Sequence, residues 1–186
     1  MHDRASHPVL VLVTALLTTL AAVPSLAEEP SFEVSAVVEP SGSYSEYRGF
    51  DLDTGLGFGL GWHFAPRWTG EVRALFHDGD IASTDTYQLG VRYAFDLGGS
   101  WHPFAVGGVH YGRSEVDYEV VCFRAPCPPH RSSDSVTGLF AGGGADWQFS
   151  RRTALRLEGR FAVYDSDAGD DSTDATDLTA GIVVRF

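Results

Sequence analysis

The last ten residues, DLTAGIVVRF at positions 177–186, decide how the rest of the chain is read. Leu178, Ala180, Ile182, Val184 and Phe186 fall on one side of an extended backbone, and Asp177, Thr179, Gly181, Val183 and Arg185 on the other. A period of two is the strand signature, because successive side chains of a strand point to opposite faces. The segment before it repeats the pattern: Leu155, Leu157, Phe161 and Val163 alternate with Arg156, Glu158 and Arg160. Here whole arginines and glutamates stand in mid-strand, opposite large apolar residues.

Working outward, the same alternation recurs. Phe32, Val34, Ala36 and Val38 oppose Glu33 and Ser35, and Leu56, Phe58, Leu60, Trp62 and Phe64 oppose glycines and His63. Trp68, Val72, Ala74 and Phe76 oppose Glu71, Arg73 and Leu75, while Tyr87, Leu89, Val91, Tyr93 and Phe95 oppose Gln88, Gly90 and Arg92. Leu139, Ala141, Ala145, Trp147 and Phe149 oppose glycines and Asp146. Residues 103–113 are an eighth segment whose glycines hide its faces. A soluble sandwich would turn its apolar faces to a shared core. Eight strands with large apolar residues on one face and charges or glycines on the other describe the inverse, an antiparallel up-and-down transmembrane β-barrel with lipid outside. Glu33, Glu71, Asp146 and Glu158 are then expected to pair inside with Arg73, Arg92, Arg156, Arg160 and Arg185, since unpaired buried charges are costly.

The connections point the same way. The links after the second, fourth and sixth strands are short, and those after the first, third, fifth and seventh are expected to be long and polar, including 114–135 and 165–175. Short periplasmic turns and longer outer loops are how such barrels sit. Trp62, Phe64, Trp68, Phe95, Trp101, Trp147, Phe149 and Phe186 gather near the short turns as an aromatic girdle.

Composition bounds the function. The 186 residues hold 13 basic side chains, all arginine, against 25 acidic ones, a net charge of -12. That balance argues against nucleic acid, whose binding needs a basic face. Twelve acids between Asp78 and Asp174 face only Arg113, Arg124 and Arg131 in the expected outer loops, which makes the outer rim acidic. Residues 1–27 read as a secretory signal peptide, with an apolar run from Val9 and small residues before Glu28, leaving 28–186 as the barrel. Cys122 and Cys127, the only cysteines, read as a loop disulfide in an oxidising compartment.

On these residues the chain resembles the small eight-stranded outer-membrane barrels of Gram-negative bacteria, the OmpA-like and OmpX-like family, over roughly 31–186. The end of the chain is similar to the family's C-terminal insertion signal, and the resemblance implies that Gly181, Val184 and Phe186 are read by the barrel-assembly machinery. It also implies an outer-membrane location, outer-membrane lipid and lipopolysaccharide as surroundings, and loops that can meet an extracellular ligand. The chain ends at the barrel, so no cell-wall tether is implied.

Catalysis is weighed and set aside. His130 and Ser132 have the His-x-Ser spacing that resembles a lipid A deacylase, but they fall in the expected longest loop and Ser133 follows where the family has Asn. His63, His77, His102, His110 and His130 are expected at the surface or rim. The acidic stretch from Asp165 to Asp177 lacks a calcium-loop register and is expected to be solvated. The expected function is therefore a structural and surface-interacting barrel without catalysis, cofactor or metal, the alternatives being a lipid A-modifying enzyme or a narrow channel.

Overall fold

The computed structural model describes residues 32–40, 54–78, 82–118, 130–165 and 173–186. Eight strands follow in chain order: β1 (Phe32–Glu39), β2 (Gly55–Ala65), β3 (Trp68–Asp78), β4 (Ala82–Ala94), β5 (Trp101–Tyr118), β6 (His130–Gln148), β7 (Thr153–Asp165) and β8 (Thr173–Arg185). Each pairs antiparallel with the next, and β8 returns to β1, giving a closed barrel. Closure leaves no strand edge in lipid, so backbone N–H and C=O groups bond to one another around the ring. The seam runs from Glu33 opposite Arg185 to Val38 opposite Ala180. It is fastened at its foot by Phe186 N–H donating to Phe32 C=O at 2.8 Å and Phe32 N–H donating to Phe186 C=O at 3.3 Å.

The period-two pattern sorts the side chains by face. Leu60, Leu89, Leu139 and Leu178 are 59–68% exposed on the outside, where hydrocarbon would solvate them. Alternate positions turn inward and are mostly polar, charged or small, with Leu75, Phe104 and Phe140 among the larger apolar residues there. Near the short turns, Trp101 and Trp147 lie opposite each other across β5 and β6 and stack at 6.0 Å. Trp68 and Tyr93 lie opposite each other across β3 and β4 with ring centroids 4.8 Å apart and planes tilted by 60°. These rings band the rim at which the short turns gather, where amphipathic aromatics sit at a membrane interface.

Several expectations about the opposite rim are corrected. The connection after the third strand is short, three residues between Asp78 and Ala82, because β4 begins five residues before the alternation starts at Tyr87. The span 114–135 is not one loop: β5 runs to Tyr118 and β6 starts at His130, so strand pairing continues from Ser114 opposite Asp134 to Tyr118 opposite His130. The deacylase-like His130 and Ser132 consequently lie on strand backbone. Of the acids assigned to outer loops, Asp78, Asp85, Glu115, Asp117, Asp134, Asp165 and Asp174 stand on strands. At 18 and 19 residues, β5 and β6 far exceed the nine to eleven residues or so that cross a bilayer. Both extend well past the lipid on the outer side, where water on either face removes the reason for alternation. The expected signal peptide at residues 1–27 and the expected disulfide of Cys122 and Cys127 lie outside the described residues.

Candidate functional site: the barrel interior

An eight-stranded ring encloses a space just wide enough to be filled by side chains. Here the filling is a set of arginine and carboxylate groups contributed by every strand but β2 and β5. Nearest the short turns, Arg92 Nη2 donates to Glu33 Oε1 at 2.6 Å, and Arg156 Nη2 reaches the same oxygen at 3.1 Å. Arg156 also grips Asp146 with two parallel bonds, Nε to Oδ1 at 2.7 Å and Nη2 to Oδ2 at 3.0 Å. Such a fork matches guanidinium to carboxylate geometry. Arg185 Nη2 donates to Asp146 Oδ2 at 2.5 Å. Every carboxylate here meets more than one guanidinium.

A second group sits at the waist. Arg73 Nη2 donates to Glu158 Oε2 at 2.5 Å, and Arg160 donates to Glu158, Glu71 and Gln88. The rings of Phe104 and Phe140 face these cations: Arg92 and Arg156 lie 5.3 and 5.1 Å from the Phe104 centroid, and Arg160 4.6 Å from that of Phe140. Cation–π attraction strengthens as water is removed. The nine interior charges named from the sequence, Glu33, Glu71, Arg73, Arg92, Asp146, Arg156, Glu158, Arg160 and Arg185, are thus brought into two adjoining clusters.

Two glycines make room at close approaches. A Cβ at Gly61 would stand 2.5 Å from Glu33 Cγ, so glycine lets that side chain lie flat against β2. A Cβ at Gly181 would stand 2.4 Å from the Ala36 carbonyl oxygen, which places this glycine of the C-terminal motif on the closing seam. Val184 of the same motif pairs with Val34, and Phe186 bonds to Phe32.

The interior also holds groups that the sequence did not single out. Phe104, Val106 and His110 of the glycine-rich segment point inward, with Phe140, Ala162, Tyr164 and Ala175 completing a small apolar cluster. His77 and His110 are 2% and 1% exposed, which corrects their expected place at the surface or rim. His110 has both ring nitrogens engaged, Nδ1 with Gln88 Nε2 at 3.3 Å and Nε2 with Tyr164 Oη at 3.2 Å. Towards the outer end lie Glu39, His77 and Asp177, all buried, which corrects the expected solvation of the acidic stretch at Asp177, an inward position of β8. His77 Nε2 stands 3.6 Å from Glu39 Oε1, beyond hydrogen-bond reach. Among the described residues, none of the carboxylate oxygens and ring nitrogens of these three has a hydrogen-bond partner. Among the described residues, no three His, Cys, Asp or Glu side chains are grouped to hold a metal ion.

A cavity of about 160 Å³ opens at the short-turn rim between His63, Arg67, Arg92, His102, Asp146 and Arg185. Deeper, between Glu33, Glu71, Arg73 and Arg156, only a void of about 10 Å³ remains, room for one water at most.

Among curated proteins, none matches the chain in sequence. Solved structures match it in fold. Neisserial surface protein A superposes with a TM-score of 0.66 at 15% identity, covering 84% of this chain and 97% of that one. The N-terminal β-barrel domain of Pseudomonas aeruginosa OprF gives 0.59 at 11% identity, covering 85% and 98%. Ail, the attachment invasion locus protein of Yersinia pestis, gives 0.53 at 14% identity, covering 86% and 100%. The family model described as the outer membrane protein beta-barrel domain matches residues 13–186. With its closed ring of eight strands, lipid-facing apolar band and paired charges inside, the chain belongs to the outer membrane protein beta-barrel family and is an outer-membrane protein.

Proposed function

We propose that the protein is a structural and surface-interacting component of the outer membrane that performs no catalysis. The observation that carries this reading is the paired interior: Arg73 and Arg160 join β3 to β7 across the lumen, Arg92, Arg156 and Arg185 bond carboxylates of nearer strands, and together they occupy the space a pore would need. The network stands in for an apolar core. The engagement of both His110 nitrogens supports a structural rather than a proton-transferring role for that residue.

In this reading the outer-membrane lipid solvates the apolar band, and the barrel-assembly machinery reads Gly181, Val184 and Phe186 during insertion after residues 1–27 are removed. The extended β5 and β6 carry acidic residues above the bilayer, where they meet lipopolysaccharide and its divalent counterions. The loop between them, with a Cys122–Cys127 disulfide, is the part offered to an extracellular ligand.

Two assays with purified, refolded protein test this. Planar bilayers should show no steady conductance, and lipid A should leave the reaction undegraded. A stable conducting state would favour the narrow channel. Deacylation of lipid A that is lost in His130→Ala would favour the enzyme.

A further inference from the structure

We propose that Glu39, His77 and Asp177 form a proton-operated latch at the outer end of the closing seam. One proton taken from the external medium turns three mutually unfavourable groups into a bonded set that ties β1, β3 and β8 together. Three features of the outer end converge on it.

The first is the lack of partners. Glu39, His77 and Asp177 are 0%, 2% and 3% exposed, and among the described residues neither carboxylate and neither ring nitrogen is hydrogen-bonded. With a neutral imidazole the set holds two like charges, and Glu39 and Asp177 repel each other through space. A proton on the ring supplies a cation whose Nε2 already stands 3.6 Å from Glu39 Oε1. Closing that gap to a charge-assisted hydrogen bond takes a movement of less than about 1 Å.

The second is the path between them. Glu39 on β1 and His77 on β3 are separated by β2, whose Gly55 lies opposite Glu39. A Cβ at Gly55 would stand 2.1 Å from His77 Nε2, so the imidazole lies in the space a side chain would fill and reaches across β2 towards the carboxylate. A larger residue here would push the ring away from Glu39.

The third is the place. Among the described residues, pairing on the closing seam goes no further outward than Val38 opposite Ala180. Glu39 follows Val38 on one side of the seam, and Asp177 stands beyond Ala180 on the other, so like charges here push the first and last strands apart and a shared cation draws them together. The charged and titratable groups that the neighbouring strands turn towards the three are already committed. Arg73 of β3 and Arg160 of β7 act on Asp177 through space, yet their bonds go to Glu158, Glu71 and Gln88. His110 of β5 bonds to Tyr164 of β7 and to Gln88 of β4, while Thr84 of β4, opposite His77, brings no charge.

The test is urea unfolding of the full barrel refolded in detergent, at about pH 8 and about pH 5.5, on either side of ordinary histidine titration. The folded latch holds its proton more firmly than the unfolded chain does, so stability is lost as pH rises and regained on acidification. His77→Gln keeps every other titrating group, and its difference from the unaltered barrel isolates the latch. From the higher pH to the lower, that difference should grow in favour of the unaltered barrel by about tenfold in the folding equilibrium constant. Gly55→Ala keeps His77 but fills the space of its ring, and should remove the growth. Should Gly55→Ala fail to refold, Glu39→Gln, which takes away the nearest carboxylate, reads the same loss. A difference from His77→Gln that stays constant or shrinks on acidification would overturn the proposal. So would a full pH response in Gly55→Ala or Glu39→Gln, which would make His77 a group that titrates alone.

Discussion

The lower and upper parts of the barrel interior use the same kinds of side chain and treat them in opposite ways. From the periplasmic mouth to the waist, five arginines are interleaved with Glu33, Glu71, Asp146 and Glu158, and most carboxylates are shared between two guanidiniums. Towards the outer end, Glu39, His77 and Asp177 are just as buried and have no hydrogen-bond partner. The difference lies in which side chains span the ring. Arginine is long, planar and carries five donors, so one guanidinium can join carboxylates from opposite walls. Among the described residues, no arginine bonds to the outer three. Arg160 stands opposite Asp177 in the register of β7 and β8, yet its donors go to Glu158, Glu71 and Gln88. Burial alone therefore does not make a charge stabilising; the lower part of the interior should hold the barrel together and the outer three residues should oppose it.

The largest effect should come from Arg156→Met. It removes the group that joins Glu33 to Asp146 and leaves each of these buried carboxylates one guanidinium fewer, and breaking a buried pair costs about 3–5 kcal/mol. Urea titration of the refolded barrel should show the midpoint fall sharply, and an unchanged midpoint would mean that the lower network contributes little. Gly61→Val should come next. Its Cβ would press on the Glu33 side chain, and crowding of this kind costs about 1–3 kcal/mol. The same titration checks it, and a loss as small as that of a surface substitution would show that Glu33 can move aside freely. The smallest effect belongs to Arg113→Ala. Arg113 pairs with Glu115 at 2.8 Å on the exposed upper strand, where water screens both, so the change should stay within about 0.5 kcal/mol.

These contrasts were only partly legible in the sequence. β8 and β7 announce themselves because lipid demands an apolar residue at every second position, and the same demand fixes the face of Arg156, Glu158 and Arg160. Where that demand ends, the pattern ends with it. Ser83 to Thr86 at the start of β4 and His130 to Ser135 are polar on both faces, and Ser114 to Tyr118 offers only Val116 and Tyr118 among polar residues; these stretches read as loop, yet they pair as strand. In β5, glycine on both faces concealed the inward turn of Phe104, Val106 and His110. The mid-strand charges stood out by their opposite signs at neighbouring positions. Glu39, His77 and Asp177 come from three strands far apart in the chain, and only closure of the ring by β8 on β1 brings the first and last strands side by side. Which arginine serves which carboxylate depends on side-chain reach across the lumen, a distance that no spacing along the chain encodes.

The most direct measurement compares two substitutions that each neutralise one buried carboxylate with little change of shape: Glu158→Gln in the paired network and Asp177→Asn in the outer cluster. Urea unfolding of the two refolded variants beside the unaltered barrel reads both on one scale. Glu158 accepts from Arg73 and Arg160, so its loss should lower the midpoint, by about 3 kcal/mol or more. Asp177 accepts from no donor, so neutralising it should raise the midpoint, by about 1 kcal/mol. Midpoints that shift in the same direction would contradict the division of the interior into a part that stabilises the barrel and a part that opposes it.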